Sequence, residues 1–348
     1  MPRLSRICFT LAAAVASVLV TFAAAPAQSQ HSAADFFHGK TIRLVIPTGP
    51  GGAYGLYALL FAEHFGQHVP GHPTIVPEYR AGAGGIVAAN YLYTLAPRDG
   101  TVLGIPLAPI ILGQYTGGSA VQYDTSKFNW IGQMSDITRL LTVWGTSKIH
   151  TFSDLATYES VAGTTGRGSE TFINPAIVNY IFHTRIRIVG GYKGSSDLLL
   201  ALERGEIGLM SATWSNLAGN RPDWLKEGKV RFLAQIGLSK LPNLENVPLL
   251  VDLAKTEADR QLIDFMSLVT TSVGYSVMSP PGVPDDVVGA LRAAFNDTMK
   301  DPAFIADAHK RHIDLTPKQY RFVEAAVNKA TQSPPELFQR FKAAIGSQ

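Results

Sequence analysis

From Thr41 onward, short runs rich in β-branched and other apolar residues alternate with segments whose apolar positions recur at helical spacing. Residues 42–47, 74–78, 102–106, 160–164, 186–189, 207–211 and 230–236 predict strands. Residues 56–68, 86–95, 172–182, 196–204 and 285–300 predict helices, and the chain beyond Pro280 is mainly helical. This alternation implies an α/β fold of mostly parallel sheets with helices on both faces. At 348 residues the chain is long enough for two domains. No fixed-period repeat or low-complexity linker divides them. Two domains without a linker imply that the chain crosses between them more than once. The crossing candidates lie near residues 129–138 and 270–279.

The first segment departs from this pattern. Arg3 and Arg6 precede a charge-free run from Ile7 to Ala25, and Ala25-Pro26-Ala27 gives a small-residue exit. A basic start, an apolar middle and that exit predict a secretory signal peptide over residues 1–27. A single membrane anchor is the rival reading, favoured by the length of the run and opposed by the cleavage pattern. Cys8 is the one cysteine and lies inside this segment. Without it the chain has no cysteine, which excludes disulfides, cysteine nucleophiles and cysteine zinc cages. An exported chain without disulfides suits a bacterial periplasm.

Charge narrows the classes further. Lys plus Arg is 30 and Asp plus Glu is 27; losing Arg3 and Arg6 leaves a net charge of +1. A nucleic-acid binder would carry a larger, clustered basic excess, so no nucleic-acid partner is expected.

The chemistry lies in the loops after the strands. Four predicted strands run into glycine-rich loops that open helices: residues 48–55, 80–85, 165–169 and 190–195. In open α/β sheets, ligands bind beyond the carboxyl ends of the strands. Glycine lets backbone approach a ligand, and the first turn of each helix offers unpaired N–H donors with partial positive charge. Such loops suit a carboxylate or phosphate. Any single loop has an equally good steric explanation, because strand–helix turns favour glycine. Four together favour a binding role. None is a nucleotide motif: Val87 stands at the third position after Gly82-x-Gly84, Tyr54 at the same position after Gly49-x-Gly51, and no Walker lysine is present. No cofactor is expected.

Several of these segments resemble the tripartite tricarboxylate transporter receptors, the Bug or TctC-like solute-binding proteins. The likeness is carried by Lys40-Thr41-Ile42-Arg43-Leu44-Val45-Ile46-Pro47 with its glycine loop, and by Tyr79-Arg80-Ala81-Gly82-Ala83-Gly84-Gly85. Ala96-Pro97-Arg98-Asp99-Gly100-Thr101, residues 163–169, Gly191-Tyr192-Lys193-Gly194-Ser195 and Ser279-Pro280-Pro281-Gly282-Val283-Pro284 extend it. Together they span residue 36 to the C-terminus. The resemblance implies a two-lobed periplasmic binding protein of type II, a Venus flytrap with each lobe a mostly parallel sheet flanked by helices. It implies lobe 1 from residues 36–133 and 276–330, lobe 2 from 134–275, and a C-terminal helix over 331–348. Implied with it are a small carboxylate ligand, di- or tricarboxylic or aromatic, a monomeric receptor, and delivery to the membrane subunits of a tripartite transporter or, in some relatives, to a sensor kinase.

Carried over residue by residue, Thr48, Gly49, Gly51, Gly52, Tyr54, Ala83 and Gly84 would form one half of the site. Thr164, Thr165, Arg167, Ser169, Tyr192 and Thr213 would form the other. Many relatives have an acid in the first loop, where this chain has Ala53-Tyr54-Gly55; Arg167 and Ser211-Ala212-Thr213-Trp214 also depart from the family pattern. Arg167 reads either as a clamp for a second carboxylate or as a solvated loop residue. Tyr54, Tyr192 and Trp214 suit the wall of an aromatic-acid pocket, with lobe packing the simpler role for Trp214. Thr48, Thr164, Thr165 and Ser169 read as carboxylate donors or as helix caps. His64, His68 and His72 are spaced by four, but Pro70-Gly71 should end the helix before the third, so no metal site is expected. The rival function is a secreted hydrolase of a small acidic or ester substrate. Its usual signatures, a Gly-x-Ser-x-Gly elbow or a His-Glu-x-x-His helix, are missing.

Overall fold

A computed structural model describes residues 33–116 and 118–346. The predicted leader and Cys8 lie outside the described residues. Among the described residues eleven strands form two sheets: β1 Thr41–Ile46, β2 Thr74–Tyr79, β3 Val102–Gly104, β4 Asn129–Gln133, β5 Arg139–Trp144, β6 Ser160–Gly163, β7 Ile186–Val189, β8 Leu209–Thr213, β9 Val230–Ile236, β10 Ser276–Ser279 and β11 Lys318–Gln319. The first sheet runs β11-β4-β10-β3-β1-β2 and the second β7-β6-β8-β5-β9.

Sequence explains the strand positions. β1 lies inside its sheet with helices over both faces, so Ile42, Leu44, Val45 and Ile46 are all buried. β2 is an edge strand, less completely buried, and tolerates Pro77 opposite Leu44. β8 starts two residues later than its apolar run suggests, because Ile207 N–H still bonds back to Ala201 O at the end of the preceding helix.

Both sheets are mixed. Pairing is parallel where strand–helix–strand units stack, β2 with β1, β1 with β3, β7 with β6 and β6 with β8. It is antiparallel where β5, β10 and β11 enter. These strands follow passages between sheets, or a helical stretch, rather than a right-handed crossover helix, so nothing obliges them to run parallel.

After β4 the chain leaves the first sheet and enters the second at β5; it returns at β10. The two passages hydrogen-bond to one another. Met134 N–H donates to Tyr275 O at 2.9 Å and Tyr275 N–H to Ser135 O at 3.0 Å, while Gln133 Nε2 donates to Ser272 O at 2.8 Å. Gly274 has φ +55°, and a Cβ there would lie 2.3 Å from Ser135 O, so only glycine allows this approach.

A helical layer covers the return path. Helix Glu257–Thr271 begins at Thr256, whose hydroxyl caps Asp259 N–H. The last helix, Pro335–Gly346, docks on it through Phe341 against Phe265 and an Arg340–Asp259 ion pair of 2.7 Å.

Candidate functional site

The four glycine loops meet face to face between the two sheets. A Cβ built on Gly52 would lie 3.1 Å from the Ser195 Cβ, and one on Gly51 would lie 2.6 Å from Ser196 Oγ. One on Gly84, at φ +64°, would lie 2.7 Å from Gly168 Cα. The loop after β1 therefore rests on the loop after β7, and the loop after β2 on the loop after β6. Ala83 adopts φ +47°, a left-handed conformation that costs a non-glycine residue about 1–2 kcal/mol.

The helices that start at these loops lack a side-chain cap. Their N-cap residues are Gly51, Gly85, Ser169 and Gly194, and none has a side chain that accepts from an N–H of the first turn. Elsewhere Thr213, Thr256 and Asp301 do cap their helices. Ser169 is instructive, because its hydroxyl occupies the capping position yet bonds sideways to Thr171 Oγ1 at 2.6 Å and Gly166 O at 2.8 Å. Thr164 joins the same hydroxyl cluster, and Thr165 N–H donates to Thr171 Oγ1 at 3.0 Å. Uncapped helix starts leave donors for an incoming anion.

Beneath the loops lies a buried polar network. Arg139 opens β5 and Glu170 opens helix Glu170–Phe182; they form an ion pair, 4% and 2% exposed. Tyr54, on helix Gly52–Phe65, donates its hydroxyl to Glu170 Oε1 at 3.1 Å and accepts Ala108 N–H at 2.9 Å. Tyr275 stands edge-on to Tyr54 and stacks on Tyr57, with ring centroids 5.1 Å and 3.7 Å away. Burial raises the Tyr54 hydroxyl pKa well above its ordinary value, reinforced by the Glu170 charge. Burial likewise pushes Tyr275 up to about 12. Burial works against the Arg139 charge, but Glu170 and the tyrosines outweigh it and raise the guanidinium pKa. Among the described residues Arg139 Nε, though buried, has no hydrogen-bond partner, and the buried Tyr275 hydroxyl has only the Thr213 side chain beside it.

Not every predicted site residue joins this centre. Thr48, Gly49, Gly51, Gly52, Tyr54, Ala83 and Gly84 lie on the first-sheet side, and Thr164, Thr165 and Ser169 belong to the second-sheet loop whose Gly168 meets Gly84. Thr48 turns its hydroxyl to Gly49 O at 3.2 Å. Tyr192 packs its ring against Gly163 within the second sheet's core. Arg167 points away: it donates to Ile345 O at 3.2 Å and lies over the Phe172 ring. A cation at the carbonyl end of the last helix is favoured by the helix dipole, which explains its direction. Thr213 caps helix Trp214–Asn220 and lines a separate cavity with Trp214.

That cavity, about 1180 Å³, runs along both passages between the sheets, past Asp136, Tyr275 and Asp314. Between the glycine loops the space at Gly84, Leu107 and Gly168 is only about 10 Å³, near the least that holds one water. The loops are thus closed on one another. Sequence reading missed Arg139, Glu170 and Tyr275. Arg139 begins an apolar strand next to a predicted crossing, and Glu170 looks like an ordinary acid in a helix's first turn.

Away from the loops, two of the three evenly spaced histidines pair with acids, while His72 bonds to Gln67 O. His64 and Asp307 are 3.2 Å apart, and His68 and Asp301 3.0 Å. Glu63 joins His64 and Asp307, but the Arg311 guanidinium bridges the two carboxylates.

The family model described as "Tripartite tricarboxylate transporter family receptor" (TctC) matches residues 61–332, well over half the chain. A curated relative, a UPF0065 protein of Bordetella pertussis, is 23% identical over 343 residues, covering 92% of this chain and 95% of its own. Among solved structures, the periplasmic binding protein BugD superposes with TM-score 0.70 at 18% identity, over 88% of this chain and 98% of its own. Rhodopseudomonas palustris MatC with bound malate gives 0.69 at 19%, over 88% and 99%. R. palustris Rpa4515 with adipate gives 0.68 at 21%, over 88% and 98%. These likenesses establish the two-lobed α/β fold. The chain belongs to the tripartite tricarboxylate transporter receptor family, TctC, and is a two-lobed solute-binding receptor rather than an enzyme.

Proposed function

We propose that this receptor captures a small organic carboxylate between its lobes, with the ligand's carboxylate held by the glycine loops after β1 and β2. One observation carries the reading: four uncapped helix starts converge between the sheets at loops whose glycines allow backbone contact. Malate and adipate in the two palustris structures point to the same class of ligand. Residues 36–133 with 276–330 would form one lobe and 134–275 the other, hinged at the paired passages. Binding shifts an open–closed equilibrium, and the closed surface is read by the membrane subunits of a tripartite transporter. Residues 1–27 would direct export to the periplasm.

The test is thermal unfolding of refolded, ligand-free protein against mono-, di- and tricarboxylates and aromatic acids, with sugars and cations as controls. A ligand at ~100 times its Kd adds about 2.7 kcal/mol of stability, a rise of several degrees. A rise with acids alone supports the proposal. A rise with sugars or cations and none with any acid sinks it.

A further inference from the structure

Around the glycine loops, the arginines are already engaged. Arg80 pairs with Glu78 and lies over the Tyr91 ring. Arg167 is turned to the last helix. Arg139, the one buried between the lobes among the described residues, is neutralised by Glu170. Lys193 is exposed at the rim. A closing cleft excludes water, and a carboxylate buried without a counter-charge is costly. The loop amides and helix starts can receive one carboxylate; a second would meet the fixed Glu170 charge and no uncommitted guanidinium.

The same network shows what the far end of the ligand should be. Arg139 Nε is a buried donor without an acceptor, and the Tyr275 hydroxyl has only the Thr213 side chain beside it. Buried polar groups normally find partners, so these two are poised for an uncharged oxygen, a carbonyl or hydroxyl. Tyr54 holds Glu170 in place from the opposite lobe, through the hydroxyl that also engages Ala108 N–H.

We infer that Glu170, with Arg139 and Tyr275, is a specificity-determining residue, and that the receptor's ligand is a monocarboxylic acid whose distal end is uncharged. This rests on the carboxylate reading of the cleft. Glu170 supplies from the protein the negative charge that a dicarboxylate would bring.

Calorimetric titration with length-matched pairs tests it: butyrate against succinate, hexanoate against adipate, benzoate against terephthalate. Wild-type protein is expected to bind the monoacid of the best pair at least tenfold more tightly than its diacid. Glu170→Gln frees the Arg139 charge and should move that ratio at least tenfold toward the diacid, a change that loss of packing alone would not produce. Equal or tighter binding of the diacid by wild-type protein overturns the inference while leaving the carboxylate reading intact. So does an unchanged ratio in folded Glu170→Gln. If that variant does not fold, the wild-type ratio decides alone. Absence of binding to every acid, with binding to a neutral or cationic control, removes the carboxylate reading and this inference with it.

Discussion

The Tyr54 hydroxyl, on the helix that follows β1 of the first sheet, donates across the lobe boundary to Glu170 at 3.1 Å, on the helix that follows β6 of the second. It is one hydrogen bond, but it joins the two halves at a fully buried polar point. Its removal should cost more than a surface bond. In Tyr54→Phe, the Ala108 N–H loses its acceptor and Glu170 one of its donors. A buried group left unsatisfied costs about 1–3 kcal/mol. Thermal unfolding should fall by a few degrees. Small-angle scattering of the ligand-free variant should show a larger radius of gyration than wild type, because the lost bond belongs to the closed form.

Gly84 makes a second prediction about closure. Its φ of +64° and its approach to Gly168 leave no room for a side chain. Gly84→Ala should keep the fold, at a backbone cost of about 1–2 kcal/mol, because the clash lies between lobes. Closure should fail, and affinity for any ligand of the wild-type protein should fall at least tenfold in a calorimetric titration. Unchanged affinity would show that the loops need not meet for capture.

Arg167 should be nearly silent in binding. Its guanidinium serves the last helix and Phe172, outside the loop contacts. Arg167→Ala is expected to leave ligand affinity within about threefold while lowering stability by about 0.5–1 kcal/mol through the weakened helix terminus. A loss of more than tenfold in affinity would return Arg167 to the site.

Asp314 gives a pH prediction. Burial raises its pKa, against the pull of the Ser215 hydroxyl that donates to it at 3.2 Å. An acid whose folded pKa exceeds its unfolded value binds protons more tightly when folded. It therefore costs nothing below the unfolded value, near ~3.9, and its cost grows as pH rises through the folded value. Asp314→Asn removes that penalty. The variant should unfold at higher temperature than wild type at pH 7, and the gap should close as pH falls to 4. A gap independent of pH would assign the effect to something other than ionisation.

Much of this architecture is readable in the sequence, for reasons that differ by element. Strands such as Ile186–Val189 and Val230–Ile236 stand out because apolar runs end at glycine or a polar turn. The loops at Gly49, Gly84, Gly168 and Gly191 are legible because four glycine strings recur at the same place after strands, where any one alone would be an ordinary turn. β4 and β10 are not, since both fall within the predicted passages between lobes, and short buried strands show no alternation to mark them. The central network is hidden for another reason. Arg139 and Glu170 are 31 residues apart, and each looks ordinary in its own segment. Only the meeting of β5 with helix Glu170–Phe182 turns them into a buried pair, and pairing at that range has no local signature. Arg167 misleads in the opposite sense. It sits in a glycine-rich loop of the kind that suits an anion, but the last helix, distant in sequence, offers it a partner.

The two passages between the lobes are laced by Met134, Ser135 and Tyr275 backbone bonds, with Gln133 reaching Ser272. Two strings tied together at their midpoints cannot swing or twist independently. The lobes then have in effect one angle to vary, and a ligand or a substitution at the contacts between them acts by changing the energy along that single coordinate. Affinity, shape in solution and heat stability should consequently rise and fall together across variants of the contacts between the lobes, as three readings of one dial.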